Sequence, residues 1–215
     1  MSELQLFLRE YVIYSELVCL IIGLVHYSKV KNTHWVWLVY YIGVIFILES
    51  ISNWGLETYP NYRANYYAFL VIPIQFVFLY WLYAWQSHQT KKVFYVFLVL
   101  YFFSLWITNC FDFHKNNFIN FSSYAIGVLL LLYLVIVEFF KQIRSDDILR
   151  FSSHKMFYIN IAVALFYVGT LPFFLLDGIL RQYKEIWYGY YTLFLLLNYV
   201  YYGLIGVSFI WGKPR

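Results

Sequence analysis

Apolar runs of about 20 residues recur along the whole chain with short polar breaks between them, the pattern of helices that cross lipid. They fall near Phe7 to Tyr27, Trp35 to Trp54, Tyr66 to Trp85, Val93 to Cys110, Phe121 to Phe140, Met156 to Leu176 and Trp187 to Trp211. The pattern predicts an all-α polytopic membrane protein, one domain over residues 1–215 built as a seven-transmembrane-helix bundle. The fourth run is short and ends in Thr108, Asn109 and Asp112, but omitting it would strand an apolar segment in water. The first five residues lack the basic region of a secretory signal, and Glu3 and Glu10 offset Arg9, so the first run is expected to remain as a span.

Composition strengthens this picture: of 215 residues 63% are hydrophobic, 25% aromatic and only 12% charged, too few polar groups to cover a soluble globule. The sparse charges are placed unevenly. Lys29, Lys31, Lys91, Lys92, Lys141, Arg144, Arg150, Lys155, Lys213 and Arg215 lie on one side of the predicted bundle, and Arg9, Arg63, Lys115, Arg181 and Lys184 on the other. The positive-inside rule then puts the N-terminus outside and the C-terminus in the cytoplasm. The net charge of +4 reflects that topology, and nucleic acid is not an expected partner. Trp35, Trp37, Trp54, Trp81, Trp85, Trp187 and Trp211 sit near span ends as interfacial anchors. Cys19 and Cys110 read as small apolar fillers rather than a disulfide or metal pair.

An acid inside a span needs a partner, a proton or a watery cavity, so each such residue is a candidate site. Glu16 and Glu49 meet that condition, both in the outer half of the bilayer at ~1.5 Å of rise per residue. Asn53 follows Glu49 by one helical turn and shares its face. Asn109, Asp112 and Asp177 end their spans on the same side, with Thr170 two turns below Asp177. Acidic and amide groups thus collect at one end of the bundle with few basic groups among them. Deeper down, Gln75 and Asn198 fall at one level, either as hydrogen-bonding glue between helices or as substrate contacts. Pro73 and Pro172 interrupt two backbone ladders. Asn160 reads as a bridge near the opposite headgroups. The connection from Lys141 to Lys155, with Arg144 and Arg150, is the place where a cytoplasmic partner or anionic lipid would dock.

Several chemistries are not expected. The last span has no lysine for a retinal, the five histidines lie at span ends or in loops without ligand spacing, and Ser208 has no histidine in a facing span. No catalytic residue, metal site or cofactor is predicted. Spans three and seven both open on paired tyrosines, but Gln75 and Asn198 fall one place out of register, too little to claim a repeated carrier unit.

The stretch Asn65-Tyr-Tyr-Ala-Phe-Leu-Val-Ile-Pro-Ile-Gln75, with Glu49 in the preceding span, resembles a group of seven-span proteins from Bacteroidota. Phe157-Tyr-Ile-Asn160, Phe166-Tyr-Val-Gly169 and Asn198-Tyr-Val-Tyr-Tyr202 are similar to the closing helices of that group. The resemblance implies an inner-membrane location and an association with sensor kinases. It supplies no activity, and the place of Gln75 is often acidic there. Together these readings predict a small sensory or accessory membrane protein. Its outward pocket around Glu16, Glu49, Asn53, Gln75, Asp112, Asp177 and Asn198 would bind a small or cationic ligand, and its inner face would pass the signal to a separate membrane or cytoplasmic partner. A small-solute or proton-coupled carrier and a structural subunit of a membrane complex are the alternatives.

Overall fold

The computed structural model describes residues 2–56, 58–110, 118–144, 154–180 and 182–212, and among them the chain is helical nearly throughout. Seven long helices follow in order: α1 (Glu3–Val25), α2 (Val36–Gly55), α3 (residues 60–87), α4 (Lys91–Cys110), α5 (Phe118–Arg144), α6 (Lys155–Leu175) and α7 (Lys184–Trp211). Six of them, α2 to α7, are long and apolar enough to span a membrane. The 23-residue α1 carries Glu3, Arg9, Glu10 and Glu16 and is not among those six.

Up-and-down order follows from the short connections. The helices α1, α3, α5 and α7 start at one end of the bundle, here called the N-terminal end, where α2, α4 and α6 finish. The tightest packing is α6 on α7, then α1 on α7, α5 on α6 and α1 on α2, while α4 lies against α3 and α5 at the periphery. Close approach of α5 to α3 needs Gly127, where a Cβ would sit 2.7 Å from the Phe76 ring.

Outward faces are apolar as well: Trp37, Trp54, Val99, Trp106, Leu129 and Tyr133 are all exposed, the reverse of a soluble protein and the expectation for lipid contact. Several polar groups inside find partners on neighbouring helices, because lipid offers them nothing. Gln5 closes a capping box with Ser2 and donates to the Tyr188 carbonyl and Thr192 hydroxyl at 2.9 Å each, locking α1 to α7. Tyr80 donates to the Gly127 carbonyl at 2.8 Å, and Tyr83 to Asn160 Oδ1 at 3.0 Å. Asn160 is therefore a fully buried link in the core, not a headgroup bridge as its place near a span end suggested.

In α3 the Pro73 interruption takes the form of a widened helix: a π-helical stretch, Tyr67–Val71, ends one residue before Pro73, and another, Trp81–Ser87, ends the element. The wider turn accommodates the proline ring, which would otherwise strike the carbonyl of the preceding turn.

At the C-terminal end, Lys155 is 1% exposed, wedged between the Trp35 ring at 5.8 Å and the Phe209 ring at 4.6 Å, so its ammonium does not present itself to a partner. Arg144 is exposed at the end of α5, and Arg150 lies outside the described residues. Lys141, placed on that connection by the sequence, belongs to α5 and donates to the Ser87 carbonyl at 2.7 Å. Two imidazoles near this end are held below the usual histidine range by burial. Lys155 adds to the effect at His34, and at His88 Glu138 opposes it while Lys141 reinforces it. With a depressed folded value, the stabilisation is present above the unfolded value near ~6.5 and is lost as pH falls through the folded one. The melting temperature in detergent should therefore drop between pH 7.5 and pH 5, and the double change His34→Gln, His88→Gln should flatten that slope.

Candidate functional site

A cavity of about 500 Å³ opens at the N-terminal end of the bundle, within the ordinary range for small-molecule sites. Each wall is a consequence of helical register. On α1, Arg9, Ile13 and Glu16 share one face, with Arg9 at the rim and Glu16 two turns deeper. On α2, Asn53 lies one turn above Glu49. On α3, Arg63 is at the rim, then Tyr67 and Ile72 descend from it. Tyr101, Tyr124, Phe174 and Phe194 add an aromatic lining, with Asn198 as a polar group among them. Beneath it a smaller chamber of about 100 Å³ continues past Glu49 and Asn198 to Gln75, Tyr167, Tyr201 and Tyr202.

The carboxyl groups lie deep. Glu16 is 2% exposed, interacts with the Tyr202 hydroxyl and with Glu49, and leaves its Oε2 without a hydrogen-bond partner. Glu49 receives the hydroxyl of Tyr67, which the π-helical stretch of α3 brings to it. At the rim, Arg63 donates to Asn53 Oδ1 at 2.7 Å and its guanidinium lies 6.0 Å from the centre of the Tyr67 ring. Both Arg9 and Arg63 act electrostatically on Tyr191 across the opening. The cavity is thus polarised along its depth, with guanidinium groups at the mouth, carboxyl groups at depth and aromatic rings between.

The residues singled out from sequence are brought together in large part. Glu16, Glu49, Asn53 and Asn198 line the main cavity, and Gln75 and Asn198 the chamber below. Asn198 donates its amide to the Phe194 carbonyl at 2.8 Å rather than to Gln75, so the two amides share a level without forming helix glue to each other. Asp112 lies outside the described residues. Asp177 begins a single helical turn, Asp177–Leu180, at the same end of the bundle. Thr170 is buried and bonded to the Tyr124 hydroxyl at 3.2 Å.

Two basic residues, Arg9 and Arg63, join the acids in the lining; both were placed at this end of the bundle by the sequence, but only as charges that set topology. Sequence reasoning also passed over Tyr67 and Tyr202, and it passed over Glu138, a third buried acid inside a span. Glu138 is 1% exposed at the far end of α5 and accepts from Ser87 Oγ at 2.5 Å and Gln142 Nε2 at 3.0 Å, with His88 Nε2 at 3.3 Å. It fastens α5 to the end of α3 and lines neither space. Among the described residues no three His, Cys, Asp or Glu side chains gather in the manner of a metal centre. Cys19 is buried and Cys110 exposed, and both are free.

Compared with known proteins, the chain matches no family model, no curated protein and no solved structure. What its own geometry defines is a class: a multi-pass membrane helix bundle with an acid-floored cavity at one end.

Proposed function

We propose that this protein is a small-ligand-binding membrane protein of sensory or accessory type. Its seven helices, α1 included, all cross the bilayer, with the N-terminus and the cavity mouth outside and the C-terminus in the cytoplasm. The observation that carries the reading is the convergence of Glu16, Glu49, Asn53 and Asn198 from three helices on one cavity of about 500 Å³. Buried acids on separate helices are costly in a membrane protein unless they serve a partner or a ligand. Orientation is supported by the lysine and arginine bias of the connections. The α1 span is supported by its 23 residues and by its packing between α2 and α7. The resemblance to the Bacteroidota group favours the inner membrane.

Beyond the chamber the bundle closes on large buried side chains, Phe76, Tyr80 and Tyr83. A space open at one end and closed at the other suits binding and signalling. In the sensory reading the response passes to a second protein at the inner face. Isolation of the tagged protein from its native membrane in mild detergent, followed by native mass spectrometry, tests this. A bound small molecule with a stoichiometric protein partner is expected, and a solitary protein holding only lipid would contradict it. A carrier is the second reading, favoured by the chamber that continues inward to Gln75. Solute uptake into proteoliposomes driven by a pH gradient would establish the carrier over the sensor.

A further inference from the structure

We infer that the cavity takes an organic ammonium: a protonated amine on an apolar or aromatic body, its charge held at Glu16 and Glu49. The inference rests on the cavity being a ligand site and names what that site recognises.

Glu16 is the point of departure. The residue lines the cavity at 2% exposure, and its Oε2 is buried with no hydrogen-bond donor. An acceptor left bare in an apolar interior is expensive, and each such group calls for an explanation. The rim guanidinium does not supply the missing donor, because Arg63 is turned to Asn53 and Tyr67. Glu49 already receives the Tyr67 hydroxyl and sits close enough to Glu16 for the two to interact. A donor arriving from the cavity therefore finds, one side-chain rotation away, a carboxyl oxygen that lacks a partner, beside a second, partly engaged acid.

The walls select the kind of donor. A bare inorganic cation needs about six oxygen ligands, and this lining is dominated by rings and aliphatic side chains. Ile72, Tyr124, Phe174 and Phe194 line both the cavity and the chamber beneath it, and an ammonium near phenol and phenyl faces gains cation–π attraction. The apolar body of the same molecule replaces lipid or water against those rings. An anion would find Arg9 at the mouth but two acids at depth, so charge order along the cavity favours a cation entering head first.

The test uses pairs of probes that differ in charge alone: tryptamine against tryptophol, phenethylamine against phenethyl alcohol, and cyclohexylmethylamine against its alcohol. Binding to the purified full-length protein in nanodiscs is measured by equilibrium dialysis at pH 7, where these amines are protonated. At least one amine is expected to bind 10-fold or more tighter than its alcohol, and Glu16→Gln should bring that ratio to within 2-fold while leaving the alcohol's affinity unchanged. Alcohols binding as well as amines would overturn the ammonium but leave the cavity as a ligand site. No binding by any of the six would overturn both. Because the amine-to-alcohol ratio is read on the unaltered protein, the outcome does not depend on a variant folding.

Discussion

Phe76→Ala is expected to be the most damaging single change in the bundle. The ring is fully buried, and its centre lies 5.0 Å from that of Tyr101, 5.7 Å from Tyr167, and 5.8 Å from both Tyr80 and Tyr124. It therefore touches α4, α5 and α6 from α3. In soluble cores this substitution costs about 3–5 kcal/mol, a transfer contribution plus the cavity left behind. Between lipid-embedded helices the transfer contribution is small, because lipid tails are as apolar as the core, and the lost packing remains. A loss of about 3 kcal/mol is therefore expected, with Phe76→Leu milder. Reversible unfolding in mixed micelles measures it. A loss below 1 kcal/mol would mean that α3 is not held by this aromatic cluster. Gly127→Val attacks the same contact from α5, since the added Cβ alone would lie within 3 Å of both Phe76 and Tyr101.

Glu138→Leu is expected to cost about 2–3 kcal/mol, from buried polar groups left without their acceptor. The carboxyl ties together Ser87, Gln142 and His88, and Lys141 reaches it at 3.9 Å while also donating to Ser87 Oγ at 2.9 Å. These contacts join α5 to the π-helical end of α3. Leucine fills the volume but accepts nothing, so the Ser87 hydroxyl and the Gln142 amide must seek partners at the bundle edge. Glu138→Gln keeps one acceptor oxygen and should cost about 1 kcal/mol. Thermal unfolding in detergent separates the two. Equal melting temperatures for both variants and the parent would show that the network adds nothing to the fold. Ligand binding should be unaffected in either case, because Glu138 lines neither the cavity nor the chamber.

Helix positions were legible in the sequence because lipid imposes a length on each apolar run, and all seven runs correspond to helices. Their ends were less so. Helix α5 continues past Phe140 to Arg144, since hydrogen bonding along a helix does not stop where hydropathy does. Glu16, Glu49 and Asn53 were legible as neighbours of one cavity because depth follows from rise per residue, which puts the two acids at comparable depth and the amide one turn above Glu49. The arginines were not. Arg9 and Arg63 sit at span ends, where charge is read as topology, yet a long side chain can reach several ångströms along its helix into a cavity. Among 24 tyrosines nothing in the sequence distinguishes Tyr67 and Tyr202 from the rest. What selects Tyr67 is the π-helical turn ahead of Pro73, a feature of backbone geometry. Lys155 was misread for a related reason: adjacent to a polar connection it resembles a surface residue, while two aromatic rings from distant helices enclose it.

The central claim is that a water-filled cavity reaches Glu49 and Asn198 from one end and stops at the buried core. Single cysteines introduced at Asn53, Ala68, Asn198, Ala84 and Ala162 in a background with Cys19→Ala and Cys110→Ala test it, using a charged, membrane-impermeant thiol reagent on intact cells. Asn53, Ala68 and Asn198 line the cavity, whereas Ala84 and Ala162 are fully buried in the other half of the bundle. Labelling of the first three from outside, with none at the last two, is the predicted result. Labelling at Ala162 comparable to that at Asn198, or no labelling at Asn198 at all, would contradict a one-ended cavity.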